Sequence, residues 1–150
     1  MSKPTFTIGT FVVIFDKDNR VLLCHRRDYD LWNLPGGVLE HGEAPWEGAV
    51  REAKEETGLD VEIDHLMGIY NKPKTNDIVF QFTCWVISGK LTLNDEADKI
   101  EYFAFEDIPE NTAPKQVERI KDALDKPKDV IMKNQFGKPT LEAIKKDKLI

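Results

Sequence analysis

Cysteine is scarce in this chain. Cys24 and Cys84 are the only two in 150 residues, 60 positions apart. That spacing matches no zinc or redox motif, and two thiols are too few for a disulfide framework. They read as buried free thiols in a protein of a reducing cytoplasm. Long apolar runs are missing as well. The longest, Phe11 to Phe15, has five residues, against the roughly 20 needed to span a bilayer. The opening stretch MSKPTFTIGT has one lysine and no apolar segment, so neither a secretory leader nor membrane association is expected. Basic charge is in deficit too: 21 Lys and Arg face 27 Asp and Glu, a formal net charge of −6. A chain so balanced lacks the basic stripe that a nucleic-acid polymer would require.

What basic charge there is gathers at one end. Residues 126–150 carry seven lysines against three acidic residues, a net +4, which leaves −10 on the first 125. This basic extension is expected to fold back on the acidic body or onto a second copy of the chain, the latter giving a homodimer. An acidic body does not exclude a small phosphate-bearing substrate, because a divalent cation can reverse the local sign. With 41% hydrophobic and 32% charged residues the composition is that of a globular protein. No linker divides it, so residues 1–150 read as one domain.

The strand signals are clear in places. Residues 5–15 are rich in Val, Ile, Phe and Thr, and their apolar parity shifts near Gly9, which predicts a bulge there. Asp16 to Asn19 reads as a turn into a second strand, Val21 to Arg26, so a hairpin is expected. Arg27 to Gly42 reads as loop, with Pro35-Gly36 suited to a type II turn. Strands are expected over 61–70, 78–87 and 100–105, and a short one over 130–132. Helices are expected from Pro45 to Thr57, with Gly58 just past its end, and from Pro114 to Leu124, with a further turn of helix after Thr140. The economical reading is α+β, one mixed sheet flanked by helices.

The first helix carries the chemistry. On a helical wheel Glu52, Glu55 and Glu56 span about 100° of one face within two turns. Trp46, Ala49, Val50, Ala53 and Thr57 form an apolar stripe beside them. Three clustered carboxylates repel one another. Two like charges about 4 Å apart cost roughly 1 kcal/mol in water and roughly 4 at an effective dielectric of 20. A cleft holding them therefore calls for cations, and oxygen-only ligands suit magnesium, manganese or calcium. A solvated acidic helix face would need none.

The segment from Gly37 to Leu59, GVLEHGEAPWEGAVREAKEETGL, resembles the Nudix box. The motif positions are Gly37, Glu43, Arg51, Glu52, Ala53, Glu55, Glu56, Gly58 and Leu59, with Ala53 smaller than the usual aliphatic. Given the composition, a chance match is about one in a million. Trp32-Asn33-Leu34-Pro35-Gly36 is similar to the family's lead-in, and the likeness extends over residues 5 to 125. The resemblance implies a mixed β-sheet sandwiched between α-helices. It implies a MutT-like hydrolase that cleaves the diphosphate linkage of a nucleoside diphosphate joined to another group, with Mg²⁺ or Mn²⁺ as cofactor. By motif position Glu52, Glu55 and Glu56 would be metal ligands, with the Gly36 carbonyl as a further oxygen. Glu52 or Glu96 would take the proton from the attacking water. Arg51 and Glu43 would form an ion pair holding helix and loop in register.

Weaker candidates surround these. Arg26 and Arg27 end the second strand and are candidates to meet phosphate. Trp32 and Trp85 are candidates to stack on a base, and each could equally be ordinary core or rim. His25, His41 and His65 show no ligand spacing. Two substrate classes compete: nucleoside triphosphates, oxidised ones included, and ADP-ribose or a nucleotide sugar. Pro73 lies 14 positions past Leu59, short of the 15 or 16 common among ADP-ribose-cleaving members, so triphosphates are the leading expectation. A nucleotide-sensing module on the same fold is the non-enzyme alternative. Such modules usually lose box carboxylates, and none is lost here.

Overall fold

The computed structural model describes residues 2–137. The expected turn of helix after Thr140 lies outside them. Strand β1, Thr7–Ile14, explains much of the rest. It pairs antiparallel with β4, Gly36–Val38, and parallel with β6, Asp77–Gly89, in unbroken register at Gly9. The expected bulge is therefore absent. The parity shift has another cause: β1 is an interior strand covered on both faces, so both parities are apolar. Val13 enters one core cluster, and Val12 and Ile14 enter the other.

The expected hairpin of β1 with β2, Val21–Arg26, shrinks to a single bridge between Phe15 and Val21. Asp16 reverses the chain by accepting the amides of Asp18 and Arg20 at 2.9 Å each, and Arg20 Nε at 2.7 Å. β2 then joins a second, three-stranded antiparallel sheet, between β3, Trp32–Asn33, and β7, Ala97–Phe103. The stretch expected as loop thus contains β3 and β4, which are too short to show a period. Gly36 opens β4 at φ 155° and makes no type II turn. A side chain there would overlap the Phe11 ring and the Thr10 carbonyl.

Strands β5, Leu59–Lys72, and β6 form a long hairpin, and β8, Ile131–Asn134, adds in parallel to the outer edge of β5. The larger sheet runs β4-β1-β6-β5-β8. Helix α1, Pro45–Thr57, lays Ala49 and Ala53 on one face against Val12, Leu59, Val61 and Phe82. Helix α2, Pro114–Leu124, lays Ile120 and Ala123 on the other, against Val13, Met67, Tyr70 and Val79. This is a single α+β domain, a mixed sheet between helices. Each large aliphatic side chain so buried contributes about 1.5–3 kcal/mol.

Ala44 offers no side-chain cap to α1, and Glu47 supplies one by accepting the Ala44 amide at 2.9 Å. Gly58 closes the helix, donating to the Lys54 carbonyl at 2.9 Å. Trp46 departs from the expected apolar stripe. It is 58% exposed, because the stripe meets the sheet only from Ala49 onward. Both cysteines are buried and free. No helix among the described residues is long and apolar enough to cross a membrane.

Candidate functional site

Helix α1 passes behind β4, and the contact depends on Gly37. A Cβ there would come within 2.8 Å of Glu52 Oε1. The close approach brings Glu52 and Glu56 into a cleft of about 450 Å³ whose walls include Arg26, Arg27, Gly36 and Glu96. Glu56 is nearly buried, and one oxygen accepts the Gly36 amide at 2.6 Å. Burial pushes its pKa up to about 8 against that hydrogen bond, and the charges of Glu52, Glu96 and Glu55 add to the rise. Burial raises Glu52 as well, opposed by Arg51.

Arg51 organises the helix side of the cleft. Its Nε and Nη2 hold Glu43 at 2.6 and 2.9 Å, a forked pair between helix and preceding loop. Its Nη1 lies 3.1 Å from both Glu52 and Glu55. Hydrogen bonding to Arg51 holds the Glu43 carboxyl down at about 2. Glu55 is mostly exposed and lies on the Arg51 side, so it does not line the cleft.

Glu96 comes from the loop before β7. Its carbonyl accepts the Arg27 amide at 3.0 Å, and its own amide donates to Asn94 Oδ1 at 2.8 Å. Asn94 in turn donates to the Glu56 carbonyl at 2.7 Å. That side chain ties the loop to the end of α1. Sequence reasoning missed it, although an Asn opening an acidic loop is an Asx-turn signal. His25 was missed too. It lines the cleft and bridges Asp98 and Asp30 at 2.7 and 2.8 Å. Burial works against its protonation, but the two carboxylates outweigh that and raise its pKa. Asp98 lies 73 positions away, so no local spacing could reveal the pair.

The other candidates separate. Arg26 lines the cleft with its guanidinium forked onto Asp28, at 2.7 Å for each contact. Arg27 lines it with Nε on the Asn94 carbonyl at 2.7 Å. Trp32 does not reach the cleft. It is 7% exposed and packs edge-on against His25 and Phe103, so no base can stack on it. Trp85 is 61% exposed but lines a different cavity, because the outer half of β6 runs beyond the site. Cys24 lies in the cleft wall as a neutral thiol, its pKa raised by burial.

Among the described residues no three His, Cys, Asp or Glu side chains stand in a geometry that would hold a metal ion. The donor chemistry nevertheless fits a hard divalent cation. Glu52, Glu56, Glu96 and the Gly36 backbone line one cleft, and two of these carboxylates have raised pKa values because burial and mutual repulsion disfavour their charge.

Comparison with known proteins accords with this arrangement. A family model described as NUDIX domain matches residues 5–124. A MutT-like protein of Streptomyces ambofaciens is 34% identical over 124 residues, covering 83% of this chain and 80% of its own. An ADP-ribose pyrophosphatase of Methanocaldococcus jannaschii is 38% identical over 103 residues, 64% of this chain and 61% of its own. A putative 8-oxo-dGTP diphosphatase of Bacillus subtilis is 42% identical over 72 residues, 48% of each chain. The crystal structure of an ADP-ribose pyrophosphatase from Streptococcus suis superposes with a TM-score of 0.71 at 25% identity, covering 87% of this chain and 100% of that one. The chain belongs to the NUDIX domain family and is an enzyme of the Nudix hydrolase type.

Proposed function

We propose that this enzyme cleaves the diphosphate linkage of a nucleoside diphosphate joined to a further group, with nucleoside triphosphates, oxidised ones included, as its substrates. The observation that carries the reading is the cleft itself: Glu52, Glu56 and Glu96 meet there, with Arg26 and Arg27 in the same walls. Likeness to the putative 8-oxo-dGTP diphosphatase supports the choice of triphosphates. The two relatives named ADP-ribose pyrophosphatases keep ADP-ribose as the second reading.

Glu52, Glu56 and the Gly36 carbonyl would hold Mg²⁺ or Mn²⁺, with Glu55 joining from the rim. When bound, such an ion supplies charge neutralisation on the diphosphate oxygens and a lowered pKa for attacking water. Arg51 fixes the helix to its loop through Glu43, so that Glu52 and Glu56 keep their places. Arg27 donates toward phosphate from the opposite wall. Glu96, anchored through its own backbone, has no partner on its carboxylate among the described residues and would accept the proton, with Glu52 as the other candidate base.

A substrate panel with product identification, run across a Mg²⁺ and Mn²⁺ titration, tests the reading. Turnover should require the metal, and saturating metal should raise Tm. Full turnover in excess chelator would overturn the metal mechanism. Faster cleavage of ADP-ribose than of any triphosphate would move the assignment to the second reading.

A further inference from the structure

A second cavity lies away from the cleft and shares no lining residue with it. Its volume is about 340 Å³, and four elements enclose it. Phe15 and Asn19 come from the β1–β2 turn, Asp64 and His65 from β5, Trp85 from β6, and Lys126 from the end of α2.

Several features there go beyond what folding needs. The β5 register shifts between Ile63 and His65, and a bulge re-aims the side chains it carries. Asp64, His65 and Thr83 form a closed hydrogen-bonded set, with contacts of 2.8, 2.9 and 3.1 Å. Two of these fall on Asp64 Oδ2 and the third joins Thr83 to His65, which leaves Asp64 Oδ1 without a partner among the described residues. Lys126 sits at φ 48°, a conformation that costs about 1–2 kcal/mol in any residue with a side chain. A helix end of this kind ordinarily takes glycine or asparagine. Keeping lysine puts a cation in the cavity wall. Trp85 turns 61% of its surface to solvent on a strand whose inner half is buried.

We propose that this cavity binds a nucleobase, stacked on Trp85 with an N–H edge on Asp64. The volume is at the small end for ligand pockets, which suits one base with its sugar. An indole face beside hydrogen-bonding groups also suits an organic cation. The charge balance argues against that. Asp16 in the wall is already satisfied by Arg20 and two amides, and Lys126 adds positive charge. A neutral heterocycle with N–H donors fits what remains. The inference stands apart from the diphosphatase reading.

Nucleosides without phosphate make the test, because they have no need of the metal cleft. Adenosine, guanosine, cytidine and uridine are titrated by calorimetry into the full chain with chelator present. Saturable one-to-one binding is expected, tighter for purines. Trp85→Ala should weaken it at least about tenfold, the scale of one base stack, and the exposure of Trp85 means the fold survives. Asp64→Asn should weaken it less, and Glu56→Gln should leave it unchanged. The proposal fails if no nucleoside saturates, if choline binds in their place, or if Glu56→Gln abolishes binding that Trp85→Ala retains. A failure of turnover in the cleft would leave this result intact.

Discussion

Helices α1 and α2 cover opposite faces of one sheet, and both bury charge, but they settle it differently. Helix α2 buries Arg119 completely. Its Nε donates to Gln81 at 2.7 Å and its Nη1 to Gln135 at 3.1 Å, while the Phe11 and Tyr70 rings lie 5.0 and 5.7 Å from the guanidinium. Neutral dipoles and π faces inside the core meet the charge in part, and Nη2 has no hydrogen-bond partner among the described residues. Helix α1 buries Glu52 and Glu56 at the wall of an open cleft, where neighbouring carboxylates add to the burden. Burial of charge is therefore no mark of function by itself. What marks α1 is that its buried carboxylates face an open cleft and one another's charges.

The comparison can be broken at several points. Arg119→Ala should have the largest effect, about 3–4 kcal/mol of lost stability, since it opens a cavity and removes the donor to the side-chain oxygens of Gln81 and Gln135. Urea unfolding measures it, and a loss under about 1 kcal/mol would mean the core does not depend on this charge. Glu56→Gln should behave in the opposite way. Turnover should fall by at least about 100-fold, while the metal-free fold holds or gains stability, because a repelled charge is removed. Glu62→Gln, on the exposed side of β5, should do neither. Equal kinetics for the two variants would contradict the assignment of α1.

Glu96→Gln comes next, with turnover down roughly 100-fold. Loss of metal affinity alongside would make Glu96 a ligand, and loss at unchanged affinity would make it the base. Asp98, two residues further on in β7, holds His25. Asp98→Asn should lower the pKa of His25, read by NMR titration of its ring. The sign for stability follows from the raised value. The His25 contribution is complete below about 6.5, the unfolded value, and is lost as pH rises through the higher folded pKa. The variant should lose stability at pH 5.5 and approach the parent at alkaline pH in thermal melts.

The smallest effect concerns the end of α2. Lys126→Gly should stabilise by about 1 kcal/mol, raising Tm by about 2–4 °C, because glycine accepts the left-handed backbone freely. No change would mean that Lys126 is held there by contacts that offset the strain.

The two helices, their start at Pro45 and Pro114, and the carboxylate face of α1 were legible in the sequence. Helical periodicity and the loop-helix motif are local, and each acts within a few turns of chain. The span of β6 was nearly as clear, and the short strand expected over 130–132 meets β8 only at Ile131 and Met132. The partition of strands into two sheets was not. A reader of β1 and β2 sees a hairpin, but β7, some 75 positions on, takes up the edge of β2. The parity shift in β1 looked like a bulge because a sequence does not say that both faces of a strand are covered. Trp32 and Trp85 show the same limit at the level of single residues: an aromatic side chain states its chemistry, while its burial or exposure depends on what the fold brings over it. The sequence by itself determined which carboxylates stand together on one helix, since 3.6 residues per turn decides that locally. Only the tertiary structure decided that Glu96, His25 and Asn94 meet them, since that needs a second sheet, a loop and a helix end to close on one another through hydrogen bonds between distant positions.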